Sequence, residues 1–327
     1  MKRSVIYSHG GGRLGNQLLN HAHLLAFEKE HEDVMKVTNV SFYKYAELYD
    51  NHNIVHYGDT GNSIIDFLVK QARLARVYDG PCGRYAEYLA TFLLHGIASI
   101  GLESQSIIAR GHYDGIPGKR VRRMNFDDLS DVKKVLSRNI TVLAGWECRG
   151  WNILQDNKEY VVSKMSISHK YLAVAEEFIN KIRDRFDLVV GVFIRRGDYR
   201  VWEGGKYFMD PSVYKDICTT IGDRTVGEKV AFVVASDEAQ DGFFTEEEFI
   251  PATGIKGGGG HFMESFAELS LCDYIISPPS TFSGFAAFLG NVPIIPLYPG
   301  CKPSLRGEIV HDLFEAKNHE HFSAAVQ

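Results

Sequence analysis

Nothing in this 327-residue chain supplies a covalent or metallic framework. Its five cysteines, Cys82, Cys148, Cys218, Cys272 and Cys301, are scattered, odd in number and never spaced as Cys-x-x-Cys. That pattern argues against a disulfide-stapled fold and a structural zinc site, and it fits a reducing, cytoplasmic setting. An excess of positive charge is lacking as well. There are 36 Lys and Arg against 41 Asp and Glu, a formal charge of −5. No overall field draws nucleic acid or an anionic membrane, so an anionic ligand must meet a local basic cluster. Long apolar runs are also missing. None reaches the ~18 residues of a membrane span, and the apolar stretch in MKRSVIYSHGGG is too short for a signal peptide. The nearest approach is Tyr88 to Leu102, interrupted by His95. It predicts a buried helix, with an interfacial segment or acceptor-side contact as the alternative.

What is present is the ordinary material of a globular α/β protein. The length suggests two domains, and polar residues break the pattern near Trp151 to Glu159. The expected division is 1–155 and 156–327. A strand over Ser4 to Ser8, a Gly10-Gly11-Gly12 turn and a helix from Leu14 to Glu30 open the first half in the manner of a nucleotide-binding unit. Its middle is less legible, with loops expected at Asp59 to Asn62 and Asp114 to Lys119. The second half alternates more clearly. Helices are expected over Leu172–Phe186, Ser212–Ile221, Phe262–Cys272 and Thr281–Leu289, and strands over Leu188–Ile194, Lys229–Ala235, Tyr274–Ser277 and Val292–Leu297. Such alternation implies a mostly parallel, doubly wound sheet. Gly257 to Gly260 reads as a flexible loop in preference to a phosphate cradle.

Four stretches carry chemistry. In Leu188 to Tyr199 an apolar strand runs straight into Arg195, Arg196, Gly197 and Asp198. Ligands of open α/β sheets bind beyond the carboxyl ends of strands, and a guanidinium fork matches phosphate oxygens two at a time. A fixed guanidinium there would meet the charge that gathers on a leaving diphosphate; a surface ion-pair turn is the competing reading. In Gly10 to Gln17 the glycines permit close backbone approach, and Asn16 or Gln17 could bond to sugar or phosphate oxygens. It is neither GxGxxG nor a P-loop, and a tight strand-to-helix turn explains it equally well. In Leu269 to Phe285 a strand ends in Pro278-Pro279, and Ser280 or Thr281 can cap the next helix, direct hydroxyls at a phosphate, or do both. In Phe232 to Glu238 another buried strand ends at Asp237, which could accept from a base or ribose or serve as a turn residue.

Taken together and in order, these stretches resemble glycosyltransferase family 11, the α1,2-fucosyltransferases, within the wider superfamily of α1,6- and protein O-fucosyltransferases. Gly12-Arg13-Leu14-Gly15-Asn16-Gln17 resembles the family's N-terminal motif, and Arg195-Arg196-Gly197-Asp198-Tyr199 its His-x-Arg-Arg-Gly-Asp-Tyr motif. Ser236-Asp237-Glu238 resembles its Ser-Asp-Asp motif, and Leu271 to Ser283 its C-terminal motif.

The resemblance implies a GT-B architecture: two Rossmann-like doubly wound α/β domains with a cleft between them, the first on the acceptor side and the second holding the nucleotide sugar. It implies a GDP-fucose donor, a glycan acceptor, inversion at the anomeric carbon, and no metal or other cofactor; the chain has no Asp-x-Asp. By analogy Arg195 contacts the β-phosphate, Arg196 braces the loop, Ser280 or Thr281 helps hold the diphosphate, and Gly15 and Asn16 approach from the first domain. Glu203, five residues after Asp198, sits at the offset of the catalytic Glu of α1,6-fucosyltransferases, and Asp198 is the other candidate base. The chain departs from the pattern at Phe193, where the family has His, and at Ser265, where it has Asp, with Glu264 adjacent. Gly284-Phe285 replaces an aromatic pair. A different nucleotide sugar, or an inactive nucleotide- or carbohydrate-binding protein, are the alternative readings. No nucleic-acid partner is expected; peripheral membrane contact is admitted.

Overall fold

The computed structural model describes residues 2–50, 60–77, 81–110, 115–240 and 246–297. Asp59, Asp114 and Cys301 lie outside them. The chain divides into two compact units, Met1–Ser166 and Ile167–Gln327.

The first unit opens with β1 (Arg3–His9), α1 (Leu14–Glu30) and β2 (Met35–Asn39). Next come α2 (Ser63–Val77), α3 (Pro81–Ile100), β3 (Ser104–Ala109) and β4 (Lys119–Val121). It closes with β5 (Met124–Asn125), α4 (Leu129–Val135), β6 (Ile140–Ala144), β7 (Cys148–Arg149), α5 (Trp151–Asp156) and α6 (Lys158–Lys164). The last two helices pack on α1, which is why they lie with the first unit. Its main sheet is parallel in the order β2-β1-β6-β3-β4. Strand β6 comes last in the chain yet sits at the centre. Residues 14, 15 and 17–27 of α1 are buried, so this helix is core all round.

The helix expected around Tyr88 to Leu102 is α3, and it is not buried as a whole. Ala90, Thr91, Leu94, His95 and Ala98 are buried, while Tyr88, Leu89, Phe92 and Leu93 are exposed. Only one face packs, against α2 and β3. The loop expected to reach Lys119 stops short of it, because Lys119 begins β4 and pairs opposite Ile107.

The second unit runs α7 (His169–Arg183), β8 (Leu188–Ile194), α8 (Pro211–Arg224), β9 (Val230–Ser236), β10 (Phe249–Pro251), α9 (Phe262–Leu271), β11 (Tyr274–Ser277), α10 (Thr281–Gly290) and β12 (Ile294–Pro296). Apart from β10, which was not expected, these are the expected elements with small shifts at the ends. Helix α7 starts three residues earlier than expected, after Ser168, and buries Tyr171, Ala175, Ile179 and Ile182 along one stripe. Asp210 caps α8 by accepting the Ser212 N–H at 3.0 Å, and Pro211 fits the first turn. Strands β8 and β9 pair from Leu188 opposite Val230 to Ile194 opposite Ser236. Gly191 lets α9 close on β8: a methyl group there would stand 2.7 Å from Leu269 Cδ2.

All strands of this sheet are parallel, in the order β10-β9-β8-β11-β12. Numbered within the unit, that is 3-2-1-4-5, the order of a doubly wound nucleotide-binding sheet. The direction of winding reverses between β8 and β11, which are hydrogen-bonded neighbours. In such sheets the ligand crevice opens beyond the carboxyl ends of the two strands at the reversal.

Candidate functional site

Arg195 and Arg196 follow β8, and Ser280 and Thr281 follow β11, so they stand at the two strand ends that bound the switch point. Asp237 follows β9 on the other side of β8. The three loops are stitched together. Arg195 Nη1 lies 2.8 Å from Asp237 Oδ2, and Arg195 Nη2 donates to Asp198 Oδ1 at 2.7 Å. The main-chain N–H of Arg196 donates to Asp237 Oδ1 at 2.9 Å. Asp237 therefore holds the arginine loop with both oxygens. Gly197 leaves room for it, since a Cβ there would stand 2.7 Å from Asp237 Oδ2. Tyr199 joins the third loop: its hydroxyl donates to the Pro279 carbonyl, one residue before Ser280. Burial pushes the Tyr199 phenol above its ordinary pKa, so it remains a donor at neutral pH.

The arginines divide their tasks. Arg196 is turned inward, with Nη1 on the Met209 carbonyl at 2.8 Å, Nε 3.2 Å from Glu238, and the guanidinium 4.3 Å above the Phe208 ring. Arg200 reaches the same Glu238 at 3.1 Å. The two guanidiniums hold the Glu238 carboxyl below its usual range, with the Arg200 hydrogen bond the largest influence. Arg195 uses its two terminal nitrogens on carboxylates. The network contains three guanidiniums, Arg195, Arg196 and Arg200, and three carboxylates, Asp198, Asp237 and Glu238. It is thus balanced in charge, with Asp198 the most solvated acid, its side chain 49% exposed.

Ser280 caps α10, accepting the Phe282 N–H at 3.3 Å. Thr281 is the first residue of that helix, and no acidic residue occupies its first turn. Glu203 lies apart on an exposed turn with φ of 50°, in the left-handed region that few residues other than glycine occupy. Glu264 stands in the first turn of α9, half-buried beside Gly260, and no hydrogen bond engages its carboxylate among the described residues.

One turn further along α9 is a carboxylate that the motifs did not reveal. Glu268 is fully buried and accepts the Thr253 N–H at 3.2 Å and the Thr253 hydroxyl at 2.5 Å. Burial raises its pKa to about 7 despite those bonds. The only signal in the sequence is its i,i+4 spacing from Glu264. Phe193, where the resembling motif has His, packs on Phe282 with ring centres 5.1 Å apart, and Phe282 meets Phe266 edge-on at 5.1 Å. Ser265 Oγ, near that cluster in sequence, is buried without a hydrogen bond among the described residues.

Gly15 and Asn16 belong to the first unit. Gly12 has φ of +76°, and the Asn16 side chain folds back so closely over it that a Cβ would overlap the amide. Gln17 fixes the loop by accepting from Ser41 Oγ at 2.7 Å and donating to the Gly11 carbonyl at 2.5 Å. The first turn of α1 has no acidic residue, and Arg13 makes no side-chain cap bond. Sequence reasoning also missed Arg149. Its Nη1 donates to Asn20 Oδ1 at 2.6 Å and to the Cys148 carbonyl at 2.8 Å, and the guanidinium lies 4.3 Å over the Trp146 ring. No carboxylate pairs with Arg149 among the described residues; its Nη2 and the Asn20 Nδ2 are both buried without partners. A lone Arg in Cys148-Arg149-Gly150 carries no motif that announces this.

No protein-family profile and no curated protein sequence matches the chain. Solved structures do match in fold. A mutant of Arabidopsis thaliana FUT1 in complex with GDP is 14% identical, with 94% of this chain and 72% of that chain aligned, at a TM-score of 0.51. POFUT1 in complex with GDP is 14% identical over 93% of this chain and 97% of that one, at 0.46. The α-1,6-fucosyltransferase NodZ soaked with GDP-fucose is 13% identical over 95% and 98%, at 0.45. The likeness to FUT1 is one of fold, and it agrees with the two parallel sheets: the chain consists of two Rossmann-like α/β units of the GT-B-like class.

Proposed function

We propose that the chain is an inverting, metal-independent glycosyltransferase that moves fucose from GDP-fucose to a hydroxyl of a glycan acceptor, forming an α1,2 linkage. The observation that carries this reading is Arg195 at the switch point, tied to Asp198 and Asp237, with the uncharged first turn of α10 opening from the neighbouring strand. The fold likeness to FUT1, whose structure holds GDP, supports a guanine nucleotide donor.

In this reading the donor diphosphate takes the place of Asp198 on Arg195. The guanidinium and the N–H groups opening α10 then face the charge that develops on the leaving GDP. Arg196 keeps the loop in position through Met209 and Glu238. The displaced Asp198 carboxylate, or Glu203 on its exposed turn, takes the proton of the acceptor hydroxyl as the new glycosidic bond forms. Glu264 offers a carboxylate to the N–H groups on the Watson–Crick edge of guanine, a donor pattern that uracil lacks.

One observation favours a second reading, a transferase of this fold with another nucleotide sugar. The Phe193–Phe282–Phe266 cluster is apolar where the motif has His, so any base contact made by that His is absent. Thermal stabilisation by GDP, UDP and their sugars separates the two, together with release of GDP from GDP-fucose. GDP is expected to stabilise the wild type; stabilisation by UDP alone sinks the guanine reading. Arg195→Ala should keep the fold and lose GDP-fucose turnover by about 100-fold or more, the scale of losing one transition-state donor. Near-normal turnover of that variant overturns the proposal, and near-normal turnover of Glu203→Gln assigns the base to Asp198.

A further inference from the structure

Helix α3 has twenty residues and is therefore about 30 Å long. Its inner face is small and packed. Its outer face carries Tyr85, Tyr88, Leu89, Phe92, Leu93 and Ile100, spaced three, one, three, one and seven apart along one stripe. Tyr85 is 77% exposed, Leu89 57% and Ile100 83%. The stripe itself contains no charged residue. Soluble surfaces seldom leave so continuous an apolar face in water, and such faces mark interaction sites.

Beside this face lies a dense run of positive charge. Lys119, Arg120, Arg122 and Arg123 are four basic residues within five positions, all exposed and with no acid among them. The segment leading into the run packs on α3. A Cβ at Gly115 would stand 3.1 Å from the Tyr88 hydroxyl, and one at Gly96 would stand 3.8 Å from Pro117 Cγ. The register continues the contact. Arg120 pairs opposite Ile108, two residues on from Ser106, whose hydroxyl bonds His95 of α3 at 2.6 Å. Arg120 thus leaves the sheet on the side that α3 covers, whereas Lys119, opposite Ile107 of the core on the other face, leaves on the far side.

We propose that the first unit docks on an anionic lipid surface, with the outer face of α3 in the interfacial plane and Arg120, Arg122 and Arg123 against the headgroups. Apolar and aromatic side chains on one face with a flanking basic cluster are what the interface of an acidic bilayer selects. No described helix is long and apolar enough to cross a membrane, so α3 lies along the surface. A second copy of this chain fits less well. A two-fold contact brings the same patch to itself and would set two basic runs together. The acids of the two helices nearby are already engaged: Glu87 lies 3.4 Å from His9, and Asp66 accepts from Thr60. This inference does not depend on the identity of the donor.

The test is flotation of the full chain with phosphatidylcholine vesicles, with and without phosphatidylglycerol. Binding is expected only where phosphatidylglycerol is present, and raised salt should weaken it. Arg122→Gln with Arg123→Gln should lower vesicle partitioning roughly 30-fold, the equivalent of two headgroup-attracted charges. Tyr85→Ser with Leu89→Ser should lower it at least tenfold, and both pairs should melt like the wild type because the sites are exposed. Absence of wild-type binding to acidic vesicles overturns the proposal, as does equal binding by either double variant. A concentration-dependent dimer that Leu89→Ser dissolves would assign the face to a second copy instead.

Discussion

Arg195 and Asp237 meet at 2.8 Å across the ends of two adjacent strands, and the same carboxylate accepts the main-chain N–H of Arg196. One side chain from β9 thus sets both the position and the backbone of the cation at the end of β8. Asp237→Ala removes a charge partner and leaves that N–H unpaired, both in a place where only 17% of either side chain is exposed. The expected loss of stability is about 1–3 kcal/mol. At about 2–4 °C per kcal/mol for a unit of this size, thermal melts should read several degrees. GDP binding should weaken together with stability, since Arg195 is no longer held.

Asp198 stands in a different relation to Arg195. Its pair is local and half-exposed, so it is worth only about 0.2–1 kcal/mol. Asp198→Asn frees the guanidinium for phosphate. GDP should bind up to about fivefold more tightly by calorimetry, while turnover of GDP-fucose falls. Weaker GDP binding by this variant would remove the competition between carboxylate and diphosphate.

Glu268 predicts a pH effect of known sign. Its folded pKa is raised to about 7 from an ordinary 4.5, so the folded state favours the protonated acid. That contribution is fully present below about pH 4.5 and is lost as pH rises through 7. The difference of about 2.5 units corresponds to ~3 kcal/mol. Glu268→Gln keeps an oxygen for Thr253 and abolishes the titration. The stability of Glu268→Gln relative to wild type should therefore increase between pH 4.5 and 7.5 in denaturant titrations. A constant difference across that range would refute the assignment.

Phe193 tests the aromatic cluster. Phe193→Ala should lower stability by about 3–5 kcal/mol, the usual loss for emptying a buried ring. Phe193→His buries an imidazole between Phe282 and its neighbours and should lower stability by about 1–3 kcal/mol where no partner meets it. Measured by melting temperature, a harmless Phe193→His would mean that a polar partner is already present.

The second unit was legible because its strands β8, β9 and β11 are continuous apolar runs, each ending abruptly in polar residues. Burial on both faces produces that signal, and the switch point follows from it once the strand order is known. The central strand of the first unit was not legible for opposite reasons. Ile140–Ala144 is five residues long and includes Thr141, while its neighbour β3 begins Ser104-Gln105-Ser106. Ser104, Ser106 and Thr141 are buried and Gln105 is half-buried, yet they are satisfied: Gln105 donates to the Lys134 carbonyl and to Thr141, and Ser106 to the Pro117 carbonyl. Hydrogen bonds between distant segments concealed a core strand behind a loop-like sequence. The arginine pair, Asp198 and Ser280 could be found from strand ends and motifs. Glu268 and Arg149 could not, because the burial of each is set by distant segments.

The charge balance of the arginine network has a consequence for the end of a catalytic cycle. Asp198 is tethered to the chain, so it stays at high local concentration beside Arg195 however dilute the protein is. On the proposed reading, as a bound GDP begins to leave, this carboxylate re-forms its pair and occupies the guanidinium before the nucleotide can rebind. The site thus carries its own displacing anion, and product release is hastened by the residue that pairs with the cation at rest.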